Sequence, residues 1–220
     1  MKAIVLDIEG TTTPINFVHK ILFPYSSERL SSYVLSNLEL PQVKEALELT
    51  QASLPETTDV PHLIETLLQW IREDRKHPAL KMIQGLIWEE GYIKKEIFGQ
   101  VYSDVLPAFK TWQSRDLKFG IYSSGSVLAQ KLLFKHSEVG DLTSYLSFHF
   151  DTAVGGKKEK ASYEKMAAQL NLNPADILFL SDIADELSAA KEAGFKVLQI
   201  VRPGTVADSR FEVRPNFSEI

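Results

Sequence analysis

The sequence predicts an α/β protein whose Rossmann-like, three-layer core is built on a parallel sheet, with an all-helical cap inserted after the first strand. Three observations predict this fold: an apolar strand at the N-terminus, alternating apolar and amphipathic stretches after residue 115, and helical periodicity without clear strands between residues 14 and 105. We expect residues 1–14 and 106–220 to form the catalytic core and residues 15–105 to form the cap.

The first strand, residues 3–6, is an unbroken apolar run and is expected to be buried on both faces. It leads into Asp7 and Glu9, and then into Gly10, which permits a sharp turn. In α/β proteins the crevice beyond the carboxyl ends of parallel strands is where ligands bind. The sequence therefore predicts an active site that contains both carboxylates.

The cap has helical periodicity in four stretches, residues 18–38, 43–49, 62–75 and 80–98. One face of the third stretch is apolar at helical spacing, through Leu63, Leu67, Leu68 and Ile71. Pro61, two residues after Asp59, is typical of a helix start. These patterns predict a block of helices between the first and second strands of the sheet.

The rest of the core alternates strands with helices. Strands are expected over residues 118–122, 147–150, 177–181 and 195–201, and helices from about 126, over 161–170 and over 186–193. Polar groups follow these strands: Ser123 and Ser124, Lys157, and Asp182. Because the carboxyl ends of parallel strands share one edge of a sheet, we expect these groups to converge with Asp7 and Glu9.

The composition is that of an ordinary soluble globular protein, with 44% hydrophobic and 24% charged residues. A net charge of -5 argues against nucleic acid or a membrane surface as a partner. The absence of cysteine excludes disulfides, zinc thiolate sites and cysteine nucleophiles. Because Met1 lies directly before the first strand, we expect no signal peptide, and no apolar run is long enough for a membrane span. We expect a cytoplasmic protein.

The converging groups suit phosphoryl transfer through a carboxylate. Asp7 would be the nucleophile, and Glu9 would protonate the leaving oxygen and then activate water. A divalent cation, Mg²⁺, would be held by the carboxylates of Asp7 and Asp182 and by the backbone carbonyl near Glu9. Ser123, with Ser124 beside it, would bind the phosphate, and Lys157 would neutralise its charge.

Each of these residues also has an ordinary structural interpretation. Ser123 could be a turn or helix-cap residue, and Asp182 could cap the next helix. By spacing alone, Lys158 or Lys160 would compete with Lys157. The acidic residues that follow Asp182, at positions 185 and 186, are either supporting groups of the site or solvated acids at a helix start.

Taken together, these motifs resemble the haloacid dehalogenase superfamily of phosphohydrolases. Asp7 to Thr11 resembles its nucleophile motif, Ser123 its hydroxyl motif, Lys157 its lysine and the segment from Leu180 to Glu186 its acidic motif. The helical insertion lies where that superfamily places its first type of cap. Glu9 is a departure, since most phosphatases of the superfamily have aspartate there.

Glu9 and further segments resemble the enolase-phosphatase family of methionine salvage. These segments are residues 7–15, 21–25, 122–126, 130–134, 149–152 and 201–204. In the cap, Lys76, Lys81, Gln84 and Trp88 match the family and are weaker candidates for substrate contact. The resemblance implies a monomer that uses one Mg²⁺ ion to convert the small phosphorylated diketone 2,3-diketo-5-methylthiopentyl-1-phosphate to an acireductone and phosphate.

Three rival functions are less favoured by the sequence. One is a phosphatase of the same fold that acts on another small metabolite, such as a sugar phosphate or phosphoglycolate. Another is a dehalogenase, although paired carboxylates at Asp7 and Glu9 with Asp182 suit a cation and a phosphate better. The third is a non-catalytic phosphate-binding module, which the presence of Asp7 and Asp182 argues against.

Overall fold

The computed structural model describes residues 1–220. Its internal contacts divide the chain into two units, Met1–Ile15 with Gly99–Ile220, and Asn16–Phe98. Residues 99–105, which the sequence pattern places in the cap, belong to the first unit by their contacts. Gly99 donates its N–H to the carbonyl of His136 at 2.8 Å, and Tyr102 donates its N–H to the carbonyl of Thr12 at 3.0 Å.

The unit Asn16–Phe98 contains only helices. A short helix, α1 (Ile15–Phe17), runs through one π-helical turn, Val18–Leu22, into α2 (Phe23–Ser36), and three helices follow: α3 (Pro41–Gln51), α4 (Val60–Arg72) and α5 (Pro78–Ile93). The last three helices each have proline in the first turn. The lack of an N–H costs nothing there, because the N–H groups of the first turn make no hydrogen bond within the helix. Asp59 caps α4 by accepting the N–H of His62. The apolar face predicted for this helix is largely buried, since Leu63, Leu67 and Ile71 are each less than a tenth exposed.

The other unit is built on a six-stranded sheet. Its strands are β1 (Ala3–Leu6), β2 (Lys118–Tyr122), β3 (Phe148–Phe150), β4 (Ile177–Ser181), β5 (Lys196–Ile200) and β6 (Val213–Arg214). They lie in the order β3-β2-β1-β4-β5-β6, and every pair is parallel. The chain extends the sheet first to one side of β1 and then to the other. The carboxyl ends of β1 and β4 therefore flank a topological switch point, where sheets of this type bind ligands.

Helices cover both faces of this sheet: α6 (Val105–Ser114), α7 (Val127–Lys135), α8 (Lys160–Leu170) and α9 (Ala184–Glu192). Ala3 and Val5 of β1 belong to a buried cluster that includes side chains of α8 and α9. Ile4 and Leu6 point to the opposite face because side chains alternate along a strand. There Phe119, the partner of Ile4 across the ladder, contacts an aromatic cluster of Phe109, Trp112, Phe134 and Phe217.

The predicted fold class, a parallel α/β sheet with helices on both faces and a helical insertion after the first strand, is confirmed. Helix α6 and strand β6 were not predicted, and the remaining elements of the core begin and end within about two residues of their predicted bounds. None of the helices combines the length and the apolar character that crossing a bilayer requires.

Candidate active site

Asp7 lies at the carboxyl end of the central strand. Leu6 pairs with Ile121 of β2 on one side and with Leu180 of β4 on the other. Asp7, the next residue, donates its backbone N–H to the carbonyl of Leu180 at 3.0 Å, and its side chain is buried. The sheet register therefore brings Asp7 between the strand ends that lead to Ser123 and Asp182.

The turn after Asp7 is fixed by glycine and threonine. Gly10 has a φ of 74°, and a Cβ atom at this position would lie 2.3 Å from Oδ2 of Asp182, so only glycine fits. Thr11 accepts the backbone N–H of Asp182 on its hydroxyl at 3.0 Å. Thr12 donates its hydroxyl to the carbonyl of Asp7 at 3.1 Å. These bonds tie the segment that carries Asp7 and Glu9 to the segment that carries Asp182.

A buried arginine holds the same turn from the other side. Arg202 donates from Nε and Nη2 to the carbonyl of Thr11, at 3.1 and 2.9 Å, and forms a bidentate ion pair with Asp104 at 2.8 and 2.9 Å. Asp104 also accepts the N–H of Phe217 from the C-terminal segment. Arg202 thus joins the turn after Asp7, the start of α6 and the C-terminal segment, a role that the sequence pattern does not predict.

Lys157 is the lysine that enters the site. Its Nζ lies 2.6 Å from Oδ1 of Asp7 and 2.7 Å from Oε2 of Glu186, and its side chain is 8% exposed. The two lysines that competed with it by spacing lie at the surface: Lys158 pairs with Asp185, and Lys160 pairs with Glu164. The structure thus separates three lysines that the sequence could not.

Glu186 is the acidic residue near Asp182 that joins the site, whereas Asp185 is exposed. Besides Lys157, Glu186 accepts the hydroxyl of Ser181 at 2.9 Å. Burial and the negative charge of Asp7 raise the pKa of Glu186, while Lys157 opposes the rise. Burial alone would lower the pKa of Lys157, but Asp7 and Glu186 outweigh it and hold that pKa above its ordinary value. The lysine is therefore a permanent cation between two carboxylates.

Asp182 has a carboxylate oxygen that could act as a ligand for a cation. Its Oδ1 is buried and has no hydrogen-bond partner. Burial and the charge of Asp7 raise the pKa of Asp182 to about 7, and Glu9 adds to the rise. A buried carboxylate oxygen without a partner is costly and calls for an explanation such as an ion.

The carboxylates of Asp7 and Asp182 fit Mg²⁺, which takes part of its coordination from water and substrate, better than a metal whose ligands all come from the protein. No group of three or more histidine, aspartate or glutamate side chains is arranged to hold a metal ion. Mg²⁺ is usually held by one or two carboxylates, with waters and substrate phosphate completing its octahedron. Asp7 and Asp182 provide two carboxylates, and their surroundings carry more negative than positive charge, since Lys157 is the one cation in contact with Asp7 and Glu186.

Ser123 lies just beyond β2 and its side chain is buried. Its hydroxyl oxygen accepts the N–H of Gly125 at 3.2 Å, which leaves the hydroxyl proton available for a ligand. Ser126 caps the following helix by accepting the N–H of Ala129. Ser124 lies in the same turn and is partly exposed. Glu9 is also partly exposed, and it lies close enough to Asp182 to affect the pKa of that residue.

The cap residues matched by resemblance have contacts within the helical unit. The amide of Gln84 donates to the hydroxyl of Ser26 at 3.3 Å, and the indole of Trp88 donates to the carbonyl of Leu22 at 2.8 Å. Lys76 pairs with Asp74 at the surface. Gln84 and Trp88 therefore join α5 to the helices before it.

The fold and the strand-end groups define a haloacid dehalogenase-like hydrolase, and the family model of that description matches residues 1–194. The chain is 47% identical to enolase-phosphatase E1 of Marinobacter nauticus, in an alignment that covers 100% of this chain and 96% of that protein. It is 48% identical to enolase-phosphatase E1 of a Sulfurihydrogenibium species, over 92% of this chain and 89% of that protein.

A solved structure has the same fold as this chain. The UTR4 protein from Saccharomyces cerevisiae superposes with a TM-score of 0.84 at 33% identity and covers 100% of this chain and 99% of its own. The chain belongs to the enolase-phosphatase family of haloacid dehalogenase-like hydrolases. The resemblance inferred from the sequence motifs is thereby confirmed.

Proposed function

We propose that this protein is a Mg²⁺-dependent enolase-phosphatase of methionine salvage, which converts 2,3-diketo-5-methylthiopentyl-1-phosphate to the acireductone and phosphate. Relatives that bear the name enolase-phosphatase E1 match the full chain at 47% and 45% identity. The observation that carries the proposal is the contact of Lys157 with Asp7, a buried carboxylate at the switch point of the sheet.

Asp7 is held in a geometry that suits a nucleophile. Its Oδ1 contacts Lys157 at 2.6 Å and accepts the N–H of Ile8 at 2.7 Å. Its Oδ2 has only a long contact, 3.4 Å, with the hydroxyl of Ser181. Oδ2 is therefore the oxygen that is less engaged by other contacts and better able to attack phosphorus. When it forms the new O–P bond, the ester O–P bond breaks and the phosphoryl group stays on Asp7.

Glu9 serves both halves of the hydrolysis as acid and base. It gives a proton to the enol oxygen that leaves phosphorus, and it then takes a proton from the water that attacks the aspartyl-phosphate. That second attack releases inorganic phosphate and restores the Asp7 carboxylate. Lys157 and the hydroxyl of Ser123 balance the charge on the phosphoryl oxygens throughout.

Asp7, Asp182 and the backbone carbonyl of Glu9 are the groups that we assign to Mg²⁺. When bound, the ion supplies positive charge that lets an anionic carboxylate approach an anionic phosphate. Two observations on Asp182 support this assignment: its buried oxygen has no hydrogen-bond partner, and burial together with the negative charge of Asp7 raises its pKa to about 7.

For the enolase half, a proton must leave the carbon that bears the phosphate ester. We propose that Glu9 participates, since its side chain is one methylene longer than the aspartate usual in this superfamily and extends the carboxylate toward that carbon. The partial exposure of Glu9 keeps it accessible from the crevice.

The phosphatase half can be tested with p-nitrophenyl phosphate in the presence and absence of Mg²⁺. We expect phosphate release that requires Mg²⁺ and falls to roughly a thousandth or less in Asp7→Asn, because the nucleophile is lost. Asp185→Asn is the matched control, since Asp185 is exposed and pairs only with Lys158 at the surface. Binding of phosphate without turnover in the wild type would favour a binding module instead.

We further propose that the protein works as a monomer in the cytoplasm, as the family resemblance implies. Light scattering after size-exclusion chromatography tests the first part, with a mass near 24.8 kDa expected. A mass of twice that value would contradict it. Cell fractionation with antibodies against the protein tests the second part.

A further inference from the structure

The loop that carries Lys157 is held by three buried hydroxyl groups. Tyr122 donates its hydroxyl to the carbonyl of Gly155 at 2.9 Å, Ser162 donates to Gly156 at 2.8 Å, and Tyr163 donates to Lys157 itself at 2.6 Å. Three successive carbonyls are thus each bonded to a side chain that is 0% exposed. No residue of this hydroxyl set belongs to the groups that we assign to the reaction.

The loop is shaped for these bonds. Gly155 has a φ of 138°, and a Cβ atom there would lie 2.1 Å from the hydroxyl oxygen of Ser162. Any other residue would both strain the backbone and push Ser162 away from its carbonyl. The backbone of the loop and the hydroxyl set are therefore matched to each other.

The hydroxyl set also joins the two sides of the phosphate site. Tyr122 is the last residue of β2, directly before Ser123, and Tyr163 lies in α8. Their rings pack edge to face, with centroids 5.7 Å apart. Lys157 Nζ lies 5.9 Å from the centroid of the Tyr122 ring. Tyr122 and Tyr163 therefore connect the loop to the strand that ends before Ser123 and to α8.

The direction of these hydrogen bonds is fixed, since a backbone carbonyl can only accept. Removal of one hydroxyl leaves a partly buried carbonyl without the side-chain partner that holds it, and the loop can then shift. The ammonium group of Lys157 lies 2.6 Å from Oδ1 of Asp7, so even a small loop movement would weaken that contact. Misplacement of a catalytic group by about 1 Å can cost about a hundredfold in rate.

We propose that Tyr122, Ser162 and Tyr163 are positioning residues that set the place of Lys157 against the phosphate. The proposal rests on the proposed function in that it takes Lys157 to be a phosphate-binding group. It adds residues that never touch substrate but control how well the site holds phosphate.

The test is a double-mutant cycle between the hydroxyl set and Lys157. Tyr163→Phe and Ser162→Ala each remove a hydroxyl with little other change, and each is made in the wild type and in Lys157→Met. The readouts are the dissociation constant of inorganic phosphate, measured by calorimetry with Mg²⁺ present, and kcat/KM for p-nitrophenyl phosphate.

We expect each hydroxyl variant to weaken phosphate binding and to lower kcat/KM by about tenfold in the wild type. In the Lys157→Met background the same substitutions should change phosphate binding by less than about twofold, because the group that they position is gone. Thr50→Val is the control: its hydroxyl is also fully buried and donates to a carbonyl, that of Ala46, at 2.7 Å. It should lower the melting temperature and leave phosphate binding unchanged.

Equal losses in both backgrounds would overturn the proposal, since the hydroxyl set would then not act through Lys157. So would a Tyr163→Phe or Ser162→Ala variant that keeps its phosphate affinity within about twofold of the wild type. If Lys157→Met does not fold, comparison with Thr50→Val at matched melting temperature decides the question. If Tyr163→Phe does not fold, the Ser162→Ala variant decides the question instead.

The outcomes also separate this proposal from the proposed function. One outcome is that the wild type releases no phosphate from any ester, while Tyr163→Phe binds inorganic phosphate less tightly than the wild type does. This outcome would refute the proposed function and support the positioning role. If the wild type turns over substrate and the hydroxyl variants keep its phosphate affinity and kcat/KM, the proposed function is supported and the positioning role is refuted. A wild type that binds no phosphate would overturn both.

Discussion

Lys157→Met tests how the buried charges of the site are balanced. In the wild type one ammonium group lies 2.6 Å from Asp7 and 2.7 Å from Glu186, with its side chain 8% exposed. Methionine keeps much of the length and apolar body of lysine but has no charge. The substitution therefore leaves two buried carboxylates facing each other without a cation.

The cost can be worked out from this geometry. Removal of one partner from a buried ion pair costs about 3–5 kcal/mol, because the remaining charge is neither solvated nor paired. For a chain of this size each kcal/mol lowers the melting temperature by about 2–4 °C, which gives a loss of roughly 6–20 °C. The loss should be measured near pH 8 with a chelator present, so that no divalent cation replaces the lysine.

The loss should shrink as the pH falls. Burial and Asp7 already raise the pKa of Glu186 above its ordinary value, and removal of Lys157 raises it further. A carboxyl group whose pKa is higher in the folded than in the unfolded chain binds its proton more tightly in the folded state. Lowering the pH from about 8 to about 5 therefore protonates Glu186 in the folded variant and restores part of its stability.

Scanning calorimetry of Lys157→Met, Lys158→Met and the wild type across this pH range is the assay. Lys158 is the neighbouring residue, but it is exposed and pairs with Asp185 at the surface, so its substitution should change the melting temperature little. If the two variants melt together, or if the deficit of Lys157→Met is the same at both ends of the pH range, the reasoning about the buried charges is refuted.

Three further substitutions test the turn, the acid-base role proposed for Glu9, and the sheet. Gly10→Ala would place a Cβ atom 2.3 Å from Oδ2 of Asp182, so we expect a folded protein, judged by circular dichroism, with phosphate release reduced about a hundredfold or more. Glu9→Ala should slow enol formation as well as phosphate release, and enol formation at the wild-type rate would remove Glu9 from the enolase step. Burial, with a smaller effect of Lys131, lowers the pKa of His149 to about 4, so the unfolded chain binds that proton first and stability should fall from about pH 6.5 toward about pH 4. A His149→Gln variant should lose less stability than the wild type over this range.

The core of the fold follows from local patterns in the sequence. The apolar run at residues 3–6 is typical of a strand buried on both faces, and the strands at 118–122 and 177–181 pair with it. Helix α6 was not predicted, although Val105, Ala108, Phe109 and Trp112 are buried at helical spacing and Pro107 lies in the first turn, where proline is compatible with a helix start. Strand β6 has two residues, too few to carry a period.

The site was predictable as a set of strand-end groups, but its pairing was not. Spacing alone cannot distinguish Lys157 from Lys158, because the burial of Lys157 depends on Asp7 and Glu186, which are far apart in the sequence. The same reason hides Arg202, whose partners Thr11 and Asp104 lie 191 and 98 residues away. Charged residues become catalytic or structural through contacts that only the folded chain creates.

The most direct measurement of the central claim follows both products of one reaction. The wild-type protein, with Mg²⁺, is mixed with 2,3-diketo-5-methylthiopentyl-1-phosphate, and the absorbance of the acireductone is recorded together with inorganic phosphate. We predict one phosphate for each acireductone, with both absent in Asp7→Asn. Phosphate released without acireductone, or turnover retained in Asp7→Asn, would contradict the proposal that this protein is an enolase-phosphatase that acts through Asp7.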